Sequence, residues 1–276
     1  MKIGIAGLGL IGGSFARGFT ELAGASVLGL DNDESTFLRA KLVNAVSGRL
    51  TKENISECDY VFIALYPQGT IDFLKEYAPF IKKDTVVIDC GGVKRRICSE
   101  CSEIALSHGF KFIGGHPMAG THFSGFKYSR ASMFDKATMV IVPEKNEKLE
   151  TLQSLKELLL RIGFKSVVIS NASEHDRIIA FTSQLAHIVS NAYVKSPNAR
   201  VHKGFSAGSY RDLTRVARLN ADMWTQLFME NRDNIKDELD CIIKELSKYR
   251  DAIENDDSET LKLLLEEGTI IKESIG

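Results

Sequence analysis

Six residues near the start, Gly7-Leu8-Gly9-Leu10-Ile11-Gly12, restrict the fold of this chain more than any other stretch. They stand between an apolar run, residues 2–7 (KIGIAG), and a helical segment over residues 11–21. Glycines at this spacing let a strand turn sharply into a helix. Gly7 makes the turn, Gly9 leaves room for a ligand against the backbone, and Gly12 lets helix and strand touch. The helix then aims its unpaired N–H groups and partial positive charge at the turn, which suits a pyrophosphate. A second apolar run, residues 26–31, ends in Asp31, nineteen residues after Gly12, where a carboxylate can accept from ribose hydroxyls. The expected cofactor contacts are therefore Gly7, Leu8, Gly9, Leu10, Ile11, Gly12 and Asp31. Asp31 and Asp33 would repel the extra phosphate of NADP, and no arginine stands among Asn32, Asp33, Glu34 and Ser35 to receive it. NAD is expected, with Arg39 on the next helix as the one opposing residue.

Five further apolar runs follow, at residues 59–65, 85–90, 111–115, 138–143 and 166–170. Near-continuous apolar strands are covered on both faces, which implies a parallel sheet. Amphipathic segments such as 68–81 and 148–162 lie between them. Residues 1–171 are therefore expected to form an α/β, Rossmann-type dinucleotide-binding domain. After residue 171 no strand-like run recurs, and helical segments at 174–194, 222–250 and 258–274 predict an all-α domain over residues 172–276. The first of these (RIIAFTSQLAHIVSNAYV within it) is apolar enough for burial on most sides. One small helical unit offers it limited cover, so a homodimer formed through this half is expected.

The 276 residues suffice for two cores. A net charge of −1 leaves no broad basic surface for nucleic acid, and no apolar run is long enough for a membrane span. The apolar start has glycines spaced for the nucleotide turn and no cleavage site after it, so a cytoplasmic location is expected. Cys98 and Cys101 form a CxxC, but the surrounding residues predict helix and no second Cys/His pair lies at zinc spacing. No metal is expected.

The chemistry is expected at residues 114–122 (GGHPMAGTH). They follow the run 111–115 and so emerge at the carboxyl edge of the sheet, where open α/β folds bind ligands. His116 there suits an alcohol oxidation, in which the hydroxyl proton passes to a base that titrates near neutrality. The same histidine could instead brace a glycine-rich turn.

The stretch GGHPMAG, with residues 89–94 (DCGGVK) upstream, resembles the prephenate and arogenate dehydrogenase family. The likeness continues as His175-Asp176, SQLAH (residues 183–187), GSYRDLTRVA (208–217), Met223-Trp224 and ENRDNI (230–235), in family order over nearly the whole chain. The resemblance implies that His116 polarises the ring hydroxyl and that Arg215 binds the ring carboxylate. It implies that Ser183 and His187 line the substrate and nicotinamide pocket, that Trp224 stands near its entrance, and that the backbone approaches the substrate at Gly208. The implied reaction is the NAD-dependent oxidative decarboxylation of prephenate to 4-hydroxyphenylpyruvate on the route to tyrosine, itself a candidate inhibitor.

Three positions depart from the family pattern. Gly92 stands where many members have a serine beside the cofactor, with water or Ser124 as substitutes. His122 replaces a glutamate facing the substrate side chain, which favours the keto acid prephenate over arogenate. Gln184 and Ala186 interrupt a Ser-His-Leu-Pro-His motif. Arogenate or dual-substrate dehydrogenation is the alternative, and a non-catalytic NAD-binding redox sensor is a more distant one. Dehydrogenases of 3-hydroxy acids usually carry a catalytic lysine on the first helix of the second domain. Here that helix offers His187 and no lysine before Lys195.

Overall fold

The computed structural model describes residues 1–121 and 123–276. Strands β1 (Lys2–Ala6), β2 (Ser26–Leu30), β3 (Gly48–Arg49), β4 (Tyr60–Ile63), β5 (Val86–Asp89), β6 (Lys111–Pro117), β7 (Thr138–Val142) and β8 (Ser166–Ile169) form one sheet in the order β3-β2-β1-β4-β5-β6-β7-β8. Helices α1 (Leu10–Glu21), α2 (Glu34–Leu42), α3 (Pro67–Tyr77), α4 (Arg95–His108) and α5 (Leu149–Arg161) connect most of the strands. The strand order reverses between β1 and β4, which opens a crevice at their carboxyl ends.

The sheet is not parallel throughout, although the apolar runs imply that it should be. β7 pairs antiparallel with β6, and β8 lies parallel to β7. The cause is the connection. A parallel return needs a crossover, usually a helix, and between β6 and β7 the described residues form only short 3₁₀ turns at Phe126–Tyr128 and Ala131–Phe134. Pairing with β7 also extends β6 through Pro117, so His116 lies within the strand, opposite Val140, rather than in a loop after it. The two-residue β3 carries no apolar run and leaves no trace in the sequence pattern.

α1 packs its aromatic face on the sheet. Phe15 sits 4.9 Å from Phe62 and 4.3 Å from Phe134 between ring centroids, and all three are fully buried. Such interlocked rings give this unit a stiff base under the nucleotide turn.

The second half is helical: α6 (Ala172–Ile179), a π-helical turn (Ala180–Leu185), α7 (Ala186–Tyr193), α8 (Gly208–Thr214), α9 (Ala221–Glu230), α10 (Arg232–Glu254) and α11 (Ser258–Ile275). The single helix expected over 222–250 breaks at Asn231. Its buried side chain donates to the Asp176 carbonyl at 2.8 Å and to Gln184 Oε1, tying α9 and α10 to the first helical run. One chain does not bury residues 174–194 on most sides. Ile178, Phe181 and Tyr193 are 44%, 59% and 47% exposed, and α11 has no buried residue although Leu263, Ile270 and Ile271 lie along it. Among the described residues no helix is long and apolar enough to cross a membrane.

Candidate active site

The glycine turn has the geometry its spacing predicts. Gly7 holds φ at +86°, and a Cβ there would meet the Ala64 carbonyl oxygen at 2.5 Å. A Cβ on Gly12 would fall 1.8 Å from the Gly7 carbonyl oxygen, while nothing lies within 4 Å of one on Gly9. That open side faces the start of α1, whose N-cap Gly9 supplies no side-chain acceptor, so Leu10, Ile11 and their neighbours keep N–H groups for a ligand. Asp31 is fixed at this turn, Oδ2 accepting from the Leu8 N–H at 2.8 Å and Oδ1 from the Asp33 N–H at 2.9 Å. Each carboxylate oxygen retains a lone pair for a hydroxyl. Asp33 caps α2, and hydrogen bonds from the Thr36 and Ser35 hydroxyls hold its carboxyl below the usual range, so the charge persists. An open backbone cradle, an uncapped helix start and an anchored acid fit a dinucleotide.

His116 sits at the carboxyl end of β6, its ring set deep in the protein with part of its surface open. Its Nδ1 lies 2.9 Å from Nε2 of His175, whose Nδ1 lies 2.8 Å from Asp176 Oδ1. His175 and Asp176, at the start of the helical unit, are buried. The Asp176 carboxylate also accepts the backbone N–H groups of Lys94 at 2.7 Å and Arg95 at 2.9 Å. Burial works against its charge, yet the hydrogen bond from His175 and then those two amides hold its carboxyl below the ordinary range. Beneath His116, Lys94 and Asp89 form a fully buried ion pair. Asp89 takes the N–H groups of Gly91 at 2.9 Å and Gly115 at 3.0 Å, which locks β6 beside the histidine. Burial first, then His175 and Lys94, push His116 well below the usual imidazole range. His116 is thus neutral at physiological pH and able to accept a proton.

A second group lines the helical unit. His187 Nδ1 donates to the Ser183 carbonyl at 2.8 Å, and its ring packs tilted against Trp224, 4.1 Å between centroids. Ser183 and Trp224 are half-buried, and Gly208 opens α8. Arg215 follows α8, exposed and without an ion pair or hydrogen bond to the described residues. Bonds from Ser190 to the Leu213 carbonyl and from Asn191 to the Ala217 carbonyl hold this segment on α7. Burial lowers the His187 pKa, and the nearby Arg215 charge lowers it further. Gly92 packs against α9, where a Cβ would meet Leu227 at 3.4 Å. His122 lies outside the described residues. Gln184, a departure from the family pattern, is buried and donates to the Leu227 carbonyl at 3.3 Å.

Sequence alone marks His175 and Asp176 only as part of a motif, and nothing in it says that they reach His116. The distance of 59 residues between the two rings hides their contact. Cys98 and Cys101 lie on α4. Burial pushes the Cys98 thiol up to about 12 and Cys101 higher, which keeps both protonated and unreactive.

A glycine turn that fits a dinucleotide in one unit, and a histidine at the same sheet edge braced by a second, helical unit, have the plan of a two-domain dehydrogenase. The chain belongs to the prephenate dehydrogenase family. Residues 16–168 match its nucleotide-binding domain and residues 171–267 its dimerization domain. It is 31% identical over 281 residues to the prephenate dehydrogenase of Lactococcus lactis, across 99% of this chain and 77% of that one. The crystal structure of Synechocystis arogenate dehydrogenase superposes with a TM-score of 0.83 at 25% identity, covering 100% of both chains. That of the Aquifex aeolicus prephenate dehydrogenase, in complex with hydroxyphenyl propionate and NAD+, shares the fold with a TM-score of 0.87 at 24% identity over 100% of this chain and 98% of that one.

Proposed function

We propose that this dehydrogenase oxidises prephenate with NAD, releasing carbon dioxide and 4-hydroxyphenylpyruvate. The observation that carries this reading is His116, at the carboxyl end of β6 on the same sheet edge as the glycine turn and hydrogen-bonded to the His175–Asp176 pair. The cradle of Gly7, Leu8, Gly9, Leu10, Ile11 and Gly12 holds the cofactor phosphates, Asp31 the ribose, and Gly92 borders the nicotinamide end. When bound, NAD accepts a hydride from the carbinol carbon. His116 takes the hydroxyl proton as that carbon is oxidised, which leaves the ring carbonyl conjugated towards the carboxylate. The carboxylate then leaves as carbon dioxide, its electron pair makes the ring aromatic, and the phenolate oxygen recovers the proton from His116. The base therefore ends the cycle neutral.

Arg215 anchors the ring carboxylate through a planar, two-pronged contact. Ser183, His187 and Trp224 form the wall of the same pocket, Gly208 lets the backbone approach, and His122 faces the substrate side chain. The unit boundary falls between residues 171 and 172. The five cysteines, all free thiols, fit a cytoplasmic enzyme.

Steady NADH formation from prephenate tests the activity, and absence of turnover would leave the NAD-binding sensor. The same assay with arogenate decides the substrate. Similarity to the Synechocystis arogenate dehydrogenase supports that second reading, and turnover with arogenate alone would replace the first.

NAD is expected to give at least tenfold higher kcat/KM than NADP, since each added like charge near Asp31 and Asp33 costs about 1 kcal/mol or more. Asp31→Ser should narrow the gap by weakening ribose binding and relieving repulsion. Equal use of both cofactors by the wild type contradicts the assignment.

The enzyme should be a homodimer through its helical half, because the exposed apolar residues of α6, the π-helical turn and α11 need cover. Light scattering should give twice the 30.6 kDa chain mass at micromolar concentration. A monomer there would refute it.

A further inference from the structure

We propose that His175 and Asp176, both supplied by the helical unit, fix the tautomer of His116 so that Nε2 is its proton-accepting nitrogen. This rests on His116 being the base. The directions of the hydrogen bonds force the assignment when both rings are neutral. A carboxylate only accepts, so the proton in the 2.8 Å contact to Asp176 belongs to Nδ1 of His175. A neutral imidazole carries one N–H, so Nε2 of His175 has a bare lone pair. At 2.9 Å from it, Nδ1 of His116 must donate. His116 has then spent its only N–H, and Nε2 is left to take the substrate proton. The partners of a catalytic histidine commonly serve this purpose, a carboxylate selecting the tautomer through the far nitrogen.

Asp176 is itself held in place. It accepts the amides of Lys94 and Arg95 from the nucleotide unit, and Asn231 binds its carbonyl. The correct tautomer of the base therefore depends on the two units being docked. The titratable groups around His116 are His175 and Asp176 from α6, Lys94 before α4, Cys98 on α4 and Asp89 on β5. A proton added to the two-ring pair, on whichever ring, puts a hydrogen on His116 Nε2 or reverses the contact so that it does. The acid limb of activity thus belongs to the pair.

Asp176→Asn tests this positioning role in the full-length enzyme with NAD. Asp176 Oδ1 takes both the Lys94 N–H and the His175 Nδ1–H, and Oδ2 takes the Arg95 N–H. In the amide only one of these two positions still accepts, so the anionic acceptor that orders the His175 proton is lost and His116 can carry its hydrogen on Nε2. The expected result is a fall in kcat of about 10²–10⁴-fold, up to the loss that follows when an aspartate-to-asparagine change puts a catalytic histidine in the wrong tautomer, with KM for prephenate and NAD unchanged. In a His116→Asn background the same change should cost nothing further. A rise in KM with kcat intact, or a full additional loss in that background, overturns the proposal. Nitrogen-15 NMR of histidine-labelled wild type in mildly alkaline buffer reads the tautomer directly, even where the variant fails to fold. His116 should carry its proton on Nδ1, and a proton on Nε2 overturns the proposal. Full turnover by His116→Asn alone would refute the base itself, an outcome separate from the tautomer measurement.

Discussion

His116→Asn should lower kcat by roughly 10²–10⁴-fold while leaving KM for prephenate little changed. The amide can still form hydrogen bonds at the end of β6, so binding survives. It cannot take the hydroxyl proton as the carbinol is oxidised, and that contribution belongs to the transition state. The wild-type pH profile gives an independent check. A free imidazole would lose activity as pH falls through about 6.5. Burial, His175 and Lys94 all push His116 downward, so the decline of kcat/KM, which belongs to the hydrogen-bonded pair, should come at lower pH than a free imidazole would give. The sign follows from the lowered pKa, because the neutral, accepting form persists to more acid pH. Steady-state assays of both proteins across pH, at saturating NAD, separate the possibilities. A variant with raised KM and intact kcat would make His116 a binding residue and remove the mechanism.

Local signals carry the nucleotide half of the site. Gly7, Gly9 and Gly12 act on their own turn, and Asp31 reaches back only to Leu8, so spacing along the chain maps directly onto contact in space. Apart from the two-residue β3, the sheet is legible as far as β6. Its reversal at β7 depends on what the connection lacks, a crossover helix, and apolar runs do not record strand direction. The helical half is legible as helix but not in its breaks. Asn231 interrupts 222–250 because its side chain is consumed by Asp176 and Gln184, two partners invisible from its own neighbourhood. The apolar pattern overstates burial at Ile178 and Phe181 for a related reason: an apolar helix announces that it will be covered, not whether its own chain provides the cover. His175 and Asp176 illustrate the limit most clearly, since their effect on His116 arises only where two units meet.

Arg215→Gln should fail in a different way. Its guanidinium has no ion pair or hydrogen bond with the described residues, so folding does not use it, and loss of the charge should move stability by no more than about 0.5 kcal/mol. A thermal melt can confirm that first. The substrate carboxylate, by contrast, would lose its only assigned cation. Binding holds that carboxylate in the ground state and in the transition state until it departs, so the loss should appear mainly in KM. Removing one side of a desolvated charge pair costs about 2–4 kcal/mol in kcat/KM, or roughly 30- to 1,000-fold. Arg215→Lys should fall between, keeping the charge and losing the planar fork. His187 offers a second readout. Arg215 lowers its pKa, so in Arg215→Gln the imidazole should titrate at higher pH than in the wild type, which NMR can follow without substrate. If kcat/KM for prephenate survives in Arg215→Gln while His187 shifts as expected, Arg215 stands near the pocket and some other group holds the carboxylate.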